Sequence, residues 1–241
     1  MKKQIFVSHG DKGGVGKSVA SALMTERLLF LGISVTVIEG DPTVQDILAR
    51  YAEVPEVTPA FLSLNAAGNA DNAVGDLAAY LEQHLPQAVV INLPAGASET
   101  VDGLGDLIRG VADVLDYELR VVYSLDIGKA PALGLRKSFR AGLMSHIDQD
   151  KRAVNYPAYK GEPAKFEWMT FAERGEYAAH EIIVPALANK SSFKALDRTP
   201  GRIATLADTG APGWMVVDRL NVKRWLPVAL AALDPIFQFE E

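Results

Sequence analysis

The sequence predicts an α/β protein: a mostly parallel, twisted sheet flanked by helices on both faces. Three observations carry this. Short β-branched runs alternate with helical patterns along the chain, which implies right-handed crossovers. Val35-Thr36-Val37-Ile38 and Val89-Val90-Ile91 are apolar or β-branched throughout, as in strands buried on both faces. A glycine-rich segment stands where the first strand passes into the first helix. With 241 residues, the chain has room for one such domain over residues 1–241.

The elements follow in order. Gln4–Ser8 reads as a strand, and Lys17–Leu31 as a helix with an apolar stripe, closed by Gly32. Ser34–Glu39 is a strand, Thr43–Tyr51 a short helix, and Ala60–Leu64 a weaker strand. Asn72–His84 is a helix, Ala88–Leu93 a buried strand and Ser98–Val111 a helix despite its glycines. Leu119–Leu125 is a strand and Ala132–Met144 a helix; Ala153–Tyr156 and Glu181–Val184 are further strands. Lys160–Arg174 is polar and aromatic, an inserted excursion. Trp214–Leu233 is helical, with a bend expected at Pro227.

Composition excludes several classes. No cysteine means no disulfide, cysteine-ligated zinc or iron–sulfur cluster. His9, His84, His146 and His180 lack metal-binding spacing. A net charge of −6 argues against wholesale nucleic-acid coating, though not against a local basic patch. The apolar run after Met1-Lys2-Lys3 is too short for a signal peptide, and Trp225–Leu233 falls short of the about 20 residues of a membrane span. A cytoplasmic location is expected.

The strongest signal is Gly10-Asp11-Lys12-Gly13-Gly14-Val15-Gly16-Lys17-Ser18. Backbone N–H groups of such a loop cradle phosphate oxygens, and the helix that follows favours negative charge at its start. Lys17 supplies a point charge to the β- and γ-phosphates, and the Ser18 hydroxyl ligates Mg²⁺. The expected nucleotide contacts are Asp11, Gly13, Gly14, Val15, Gly16, Lys17, Ser18 and Val19. The plain alternative is a turn that only caps a helix.

The ordinary pattern places glycine where this chain has Asp11, and Lys12-Gly13-Gly14 follows. That spelling resembles the deviant Walker A motif of the ParA/MinD family of ATPases. The resemblance implies an ATP-dependent homodimer in which Lys12 reaches the other subunit's ATP, as a cation delivered in trans. Otherwise Lys12 is a solvated loop lysine. Asp41-Pro42 matches the second half of the family's Asp-x-Asp-Pro segment, and Glu39 replaces its first Asp. By carry-over Asp41 orients or activates the attacking water and touches the Mg²⁺ shell, partly through water. A helix-capping role for Asp41 or Thr43 is the alternative. Glu39 is a group behind the metal ligands, a substrate contact or a buffer at the strand end.

Asn92-Leu93-Pro94-Ala95-Gly96 resembles the family's Walker B and switch II segment, with Asn92 in place of the expected Asp. Asn is neutral, so Asn92 stands behind the metal's direct ligands, and metal affinity or turnover is expected to be weak. The Gly96 N–H is positioned to sense the γ-phosphate. The same resemblance implies that Asn155, at a strand end, reads the adenine edge, with Pro185 and Leu187 against the base; both features also occur in turns without ligands.

In the later half, the run from Asn155-Tyr156-Pro157 through Phe166, then Ile183-Val184-Pro185-Ala186-Leu187, is similar to TraL, MobD and StbB-like ATPases of conjugative and mobilisable plasmids. That similarity implies a role in plasmid stability, positioning or transfer, with a plasmid-encoded DNA-binding or relaxosome protein as partner. The acidic end Phe237–Glu241 disfavours a membrane-binding tail. Lys190, Lys194, Arg198, Arg202, Lys223 and Arg224 form either a patch for non-specific DNA or a solvated face. Two other functions stay open: a small-molecule ATP-dependent ligase of dethiobiotin-synthetase-like type, which Lys12 disfavours, and a nucleotide-binding scaffold with little turnover, which Asn92 favours. Nitrogenase-reductase-like and arsenite-pump-like relatives need cysteines and are excluded.

Overall fold

The computed structural model describes residues 2–41, 45–64, 70–96 and 98–239. The helix start and cap expected at Thr43, with Pro42, and the acidic tip at Glu240 and Glu241 lie outside them. The predicted fold class is the observed one. Strands β1 (Lys3–His9), β2 (Val35–Glu39), β3 (Val57–Phe61), β4 (Ala88–Asn92), β5 (Tyr117–Ser124), β6 (Arg152–Asn155) and β7 (His180–Ile182) form one sheet. Its order is β3-β2-β4-β1-β5-β6-β7, and every pairing is parallel.

Helices cover both faces. One core holds Val7, Ile91, Leu119 and Val121 under α3 (Ala70–His84), α4 (Ser98–Gly103), α5 (Gly105–Val114) and α6 (Lys129–Ala141). The other holds Phe6, Val37, Val90 and Val122 against α1 (Lys17–Phe30), α2 (Asp46–Tyr51), α7 (Lys190–Arg198), α8 (Ile203–Thr209) and α9 (Val216–Ala231). Phe6 and Val7, adjacent in sequence, enter opposite cores because strand side chains alternate. Each such buried side chain contributes about 1.5–3 kcal/mol.

Several boundaries differ from expectation. β3 begins at Val57, earlier than the predicted Ala60, so Pro59 lies inside it. This strand pairs only with β2, and an edge strand tolerates a residue that cannot donate to the ladder. The helix expected over Ser98–Val111 is two, α4 and α5, broken at Leu104. A β-carbon on Gly105 would stand 2.9 Å from both the Leu143 backbone and the His146 ring, so that glycine serves close packing. The helix predicted over Ala132–Met144 runs from Lys129 to Ala141, with a 3-10 turn at Leu143–His146. Helices α7 and α8 fill a stretch that reads as merely polar; Asn189 caps α7 by accepting from the Ser191 and Ser192 amides. Helix α9 continues through Pro227. The Lys160–Arg174 excursion is a chain of 3-10 turns that buries Phe166 and Trp168.

Candidate functional site

Register places the site. Ser8 pairs with Asn92, and Asn92 with Glu39, so the polar ends of β1, β4 and β2 share one row at the carboxyl edge of the sheet. Parallel α/β sheets bind ligands at this edge. The loop Gly10–Gly16 leaves β1 here and enters α1. Gly16 caps α1 with φ +94°, a left-handed conformation that residues with a β-carbon rarely adopt.

Lys17 is buried at the loop's base. Its ammonium donates to the Lys12 carbonyl at 2.7 Å and the Gly10 carbonyl at 3.4 Å. Burial lowers its pKa, against the opposing charges of Asp11 and Asp41. Lys12 is exposed. Two lysines of one loop are thus separated, one held inward and one free to reach out. Val15 is fully buried, whereas Gly13 and Gly14 are open and Asp11, Ser18 and Val19 half-buried. The Ser8 hydroxyl donates to the Lys17 carbonyl at 2.9 Å, tying the strand end to the helix start.

Beside the loop, the Asn92 amide nitrogen donates to both Glu39 carboxylate oxygens at 3.0 Å and lies 3.5 Å from the Ser18 hydroxyl. The Ser21 hydroxyl donates to the Asn92 carbonyl at 3.0 Å. Glu39 is 0% exposed, and among the described residues no lysine or arginine pairs with it. Burial pushes its pKa up to about 7, although Asn92 and the Asp41 and Ile47 amides draw it down. Asp41 is half-buried, and its N–H lies 3.3 Å from Glu39 Oε1.

This donor set fits a magnesium ion held largely through water. Ser18 offers a hydroxyl, and Glu39 is a buried carboxylate that forms no ion pair with a lysine or arginine among the described residues. Mg²⁺ commonly keeps several waters and takes one or two carboxylates together with phosphates. Asn92 turns an N–H toward Ser18, so it orients Glu39 and the hydroxyl. Among the described residues no group of three or more His, Asp or Glu gathers as a protein-built metal site.

The segment after β4 lies against the loop: a β-carbon on Gly13 would be 3.7 Å from that of Ala95. Gly96 is exposed, with φ +80°. Asn155 is buried, and its amide is engaged within the sheet edge. It donates to Ser124 Oγ at 3.1 Å and accepts from the Val184 N–H at 3.2 Å. Pro185 accepts from the Trp225 indole at 2.8 Å, and Leu187 packs on the α1-side core. These three residues stand at strand ends on the β6–β7 side of the sheet.

Two features escape a reading by motif. His9 is buried directly before the loop, its Nε2 3.2 Å from the Asp102 carboxylate of α4. Burial pushes Asp102 up, but hydrogen bonds from His9, the Ser138 hydroxyl and the Leu143 N–H outweigh it and lower its pKa. The glycine loop and the helix after Gly96 are therefore joined inside the protein. The second is Tyr159, whose hydroxyl donates to the Gly14 carbonyl at 2.5 Å. Burial pushes that hydroxyl up to about 12, so it remains a donor at neutral pH. Neither has a sequence signal, because the partners are far apart in the chain.

No family model matches this chain. Its sequence is 28% identical to protein MobD of Acidithiobacillus ferrooxidans over 169 residues, 69% of each chain. A nucleotide-binding protein from Archaeoglobus fulgidus, solved in complex with ADP, is similar over 80% of this chain and 85% of its own, at 13% identity and TM-score 0.46. Cell division protein FtsY of Thermotoga maritima is similar over 76% of this chain and 62% of its own, at 14% identity and TM-score 0.46. At these values the two structures speak to neither ligand nor activity. Among the described residues no helix is long and apolar enough to cross a membrane.

Proposed function

We propose that this chain binds ATP with Mg²⁺ and acts as a slowly hydrolysing switch that dimerises around the nucleotide, in plasmid stability, positioning or conjugative transfer. The observation that carries the reading is the Gly10–Ser18 loop at the carboxyl edge of the sheet, with Lys17 buried beneath it and Lys12 exposed. Lys17 exchanges the Lys12 and Gly10 carbonyls for β- and γ-phosphate oxygens. Ser18 would hold the metal, with Glu39 and Asp41 available to its water shell. When bound, the ion neutralises phosphate charge. Asp41 orients the attacking water, and Gly96 senses the γ-phosphate. Lys12 serves the other protomer's nucleotide, as the ParA/MinD-like spelling of the loop implies. The similarity to MobD supports the plasmid setting.

A plasmid-encoded DNA-binding or relaxosome protein is the proposed partner, with non-specific DNA as a further ligand. For DNA the basic set contracts. Arg202 lies within 4.0 Å of Glu26 and Glu56 carboxylates, and Lys223 pairs with Asp208. Lys190, Lys194, Arg198 and Arg224 remain exposed, the first three spaced along α7 so as to share a face.

The test is nucleotide titration and sedimentation. Lys17→Ala is expected to abolish ATP binding, while Lys12→Ala keeps binding and loses the ATP-dependent dimer. Wild-type protein that binds no ATP would overturn the reading. One observation favours a second reading, a nucleotide scaffold with little turnover: Asn92 spends its amide on Glu39. ATP binding and dimerisation with negligible hydrolysis, with and without DNA, would select it.

A further inference from the structure

Tyr159 lies in the loop that leaves β6, outside every motif of the site. Its hydroxyl is anchored on the Gly14 carbonyl. Its ring edge lies over Gly16, where a β-carbon would stand 3.4 Å from the hydroxyl and 3.5 Å from ring carbon Cε1. Pro157 approaches the same point, at 3.8 Å. The ring therefore rests on the last turn of the loop before α1, yet the residue remains 51% exposed. Lys160 Nζ lies 5.6 Å from its centroid.

Three physical points bear on this arrangement. Phosphates bound by the loop would sit at the amino end of α1, whose first residues adjoin Gly16 and so the Tyr159 ring. An aromatic ring held at its polar tip loses little entropy on binding, and every base offers a face to stack on it. Asn155, nearby in the chain, is buried with its amide engaged in the sheet, so the exposed surface here belongs to the loop beyond it.

We propose that Tyr159 is the nucleoside-recognising residue of this site, its ring stacking on the base of a nucleoside triphosphate whose phosphates occupy the Gly10–Ser18 loop. This rests on the nucleotide reading above and adds to it a residue and a role. The hydroxyl contact with Gly14 holds the ring in place, and the ring supplies the contact with the base.

Calorimetric titration of wild type, Tyr159→Ala and Tyr159→Phe with ATP and with inorganic tripolyphosphate tests it. A base–aromatic stack lost to alanine is expected to weaken ATP about tenfold. Tripolyphosphate, which has no base, should bind all three proteins alike, and Tyr159→Phe should fall between wild type and alanine for ATP. Matching melting curves check that the variants fold. Equal ATP affinity in wild type and Tyr159→Ala overturns the proposal. So does a parallel loss of ATP and tripolyphosphate, since the residue would then only shape the loop. Wild type that binds neither ligand overturns the nucleotide reading itself, and this proposal with it.

Discussion

The two ends of the same strands treat buried charge in opposite ways. Near the start of β5, Arg120 is 1% exposed, and each of its three guanidinium nitrogens has a partner. It donates to Gln4 Oε1 at 2.9 Å, to the Ile236 and Gln238 carbonyls at 2.9 and 3.0 Å, and to the Glu118 carboxylate. Lys151 meets the other Glu118 oxygen at 2.9 Å. Burial pushes Glu118 up, but Lys151 and Arg120 overcome it and hold its pKa at about 2. At the carboxyl edge, Glu39 is more enclosed than Glu118 but has a neutral amide where Glu118 has two cations. The His9 Nδ1 and the Tyr123 hydroxyl are buried there and find no partner among the described residues. One end pins the carboxyl-terminal segment to the sheet. The other encloses a carboxylate with neutral donors and leaves two buried polar atoms without a described partner.

Breaking the satisfied end should have the largest effect. Arg120→Ala leaves Gln4 Oε1 and two carbonyls without their donor and takes one of two cations from Glu118, which keeps Lys151, and is expected to cost about 3–5 kcal/mol in urea unfolding. A loss under about 1 kcal/mol would show that Arg120 is dispensable and remove the contrast. At the other end, Asn92→Asp would set two carboxylates in hydrogen-bond range of each other with no cation between. Such pairs share a proton, so one pKa rises strongly. The variant should melt below wild type at about pH 8 and recover most of the difference at about pH 5, where one carboxyl is protonated. Equal melting deficits at both values would mean that the loss does not come from repulsion between the two carboxylates.

The smallest effect, and the sharpest, is a pair of opposite slopes. Glu39 has a folded value of about 7 against 4.5 unfolded, so between them the folded state binds more protons and stability falls as pH rises through that window. Glu118 is held at about 2 against 4.5, so its contribution is present above 4.5 and is lost as pH falls toward 2. Glu39→Gln should flatten the first slope without touching the second, and Glu118→Gln the reverse. Unfolding measured across both windows separates them; a Glu39→Gln profile parallel to wild type would mean that Glu39 is already ionised when folded at the lower pH.

Much of this was legible from residues alone. β2 and β4 are short apolar runs whose neighbours in sequence are enough to define them, and Gly16-Lys17-Ser18 announces a loop between strand and helix without any tertiary contact. The misread elements fail for a different reason. Pro59 breaks a strand pattern unless the strand is known to be at an edge. Gly105 looks like one weak helical residue until Leu143 and His146 come to lie against it. Short α7 and α8 gain their stability from packing beside α9, and helices of that length have little of their own.

The sequence by itself determined the alternation of strands and helices and the place of the glycine loop, because hydrophobic period and backbone freedom are properties of adjacent residues. Only the tertiary structure decided that Asn92 faces Glu39, that Asp102 meets His9, and that Tyr159 rests on Gly14 and Gly16. Those pairings join segments distant along the chain. They are settled by which strands lie side by side and by the cost of leaving a buried polar group alone.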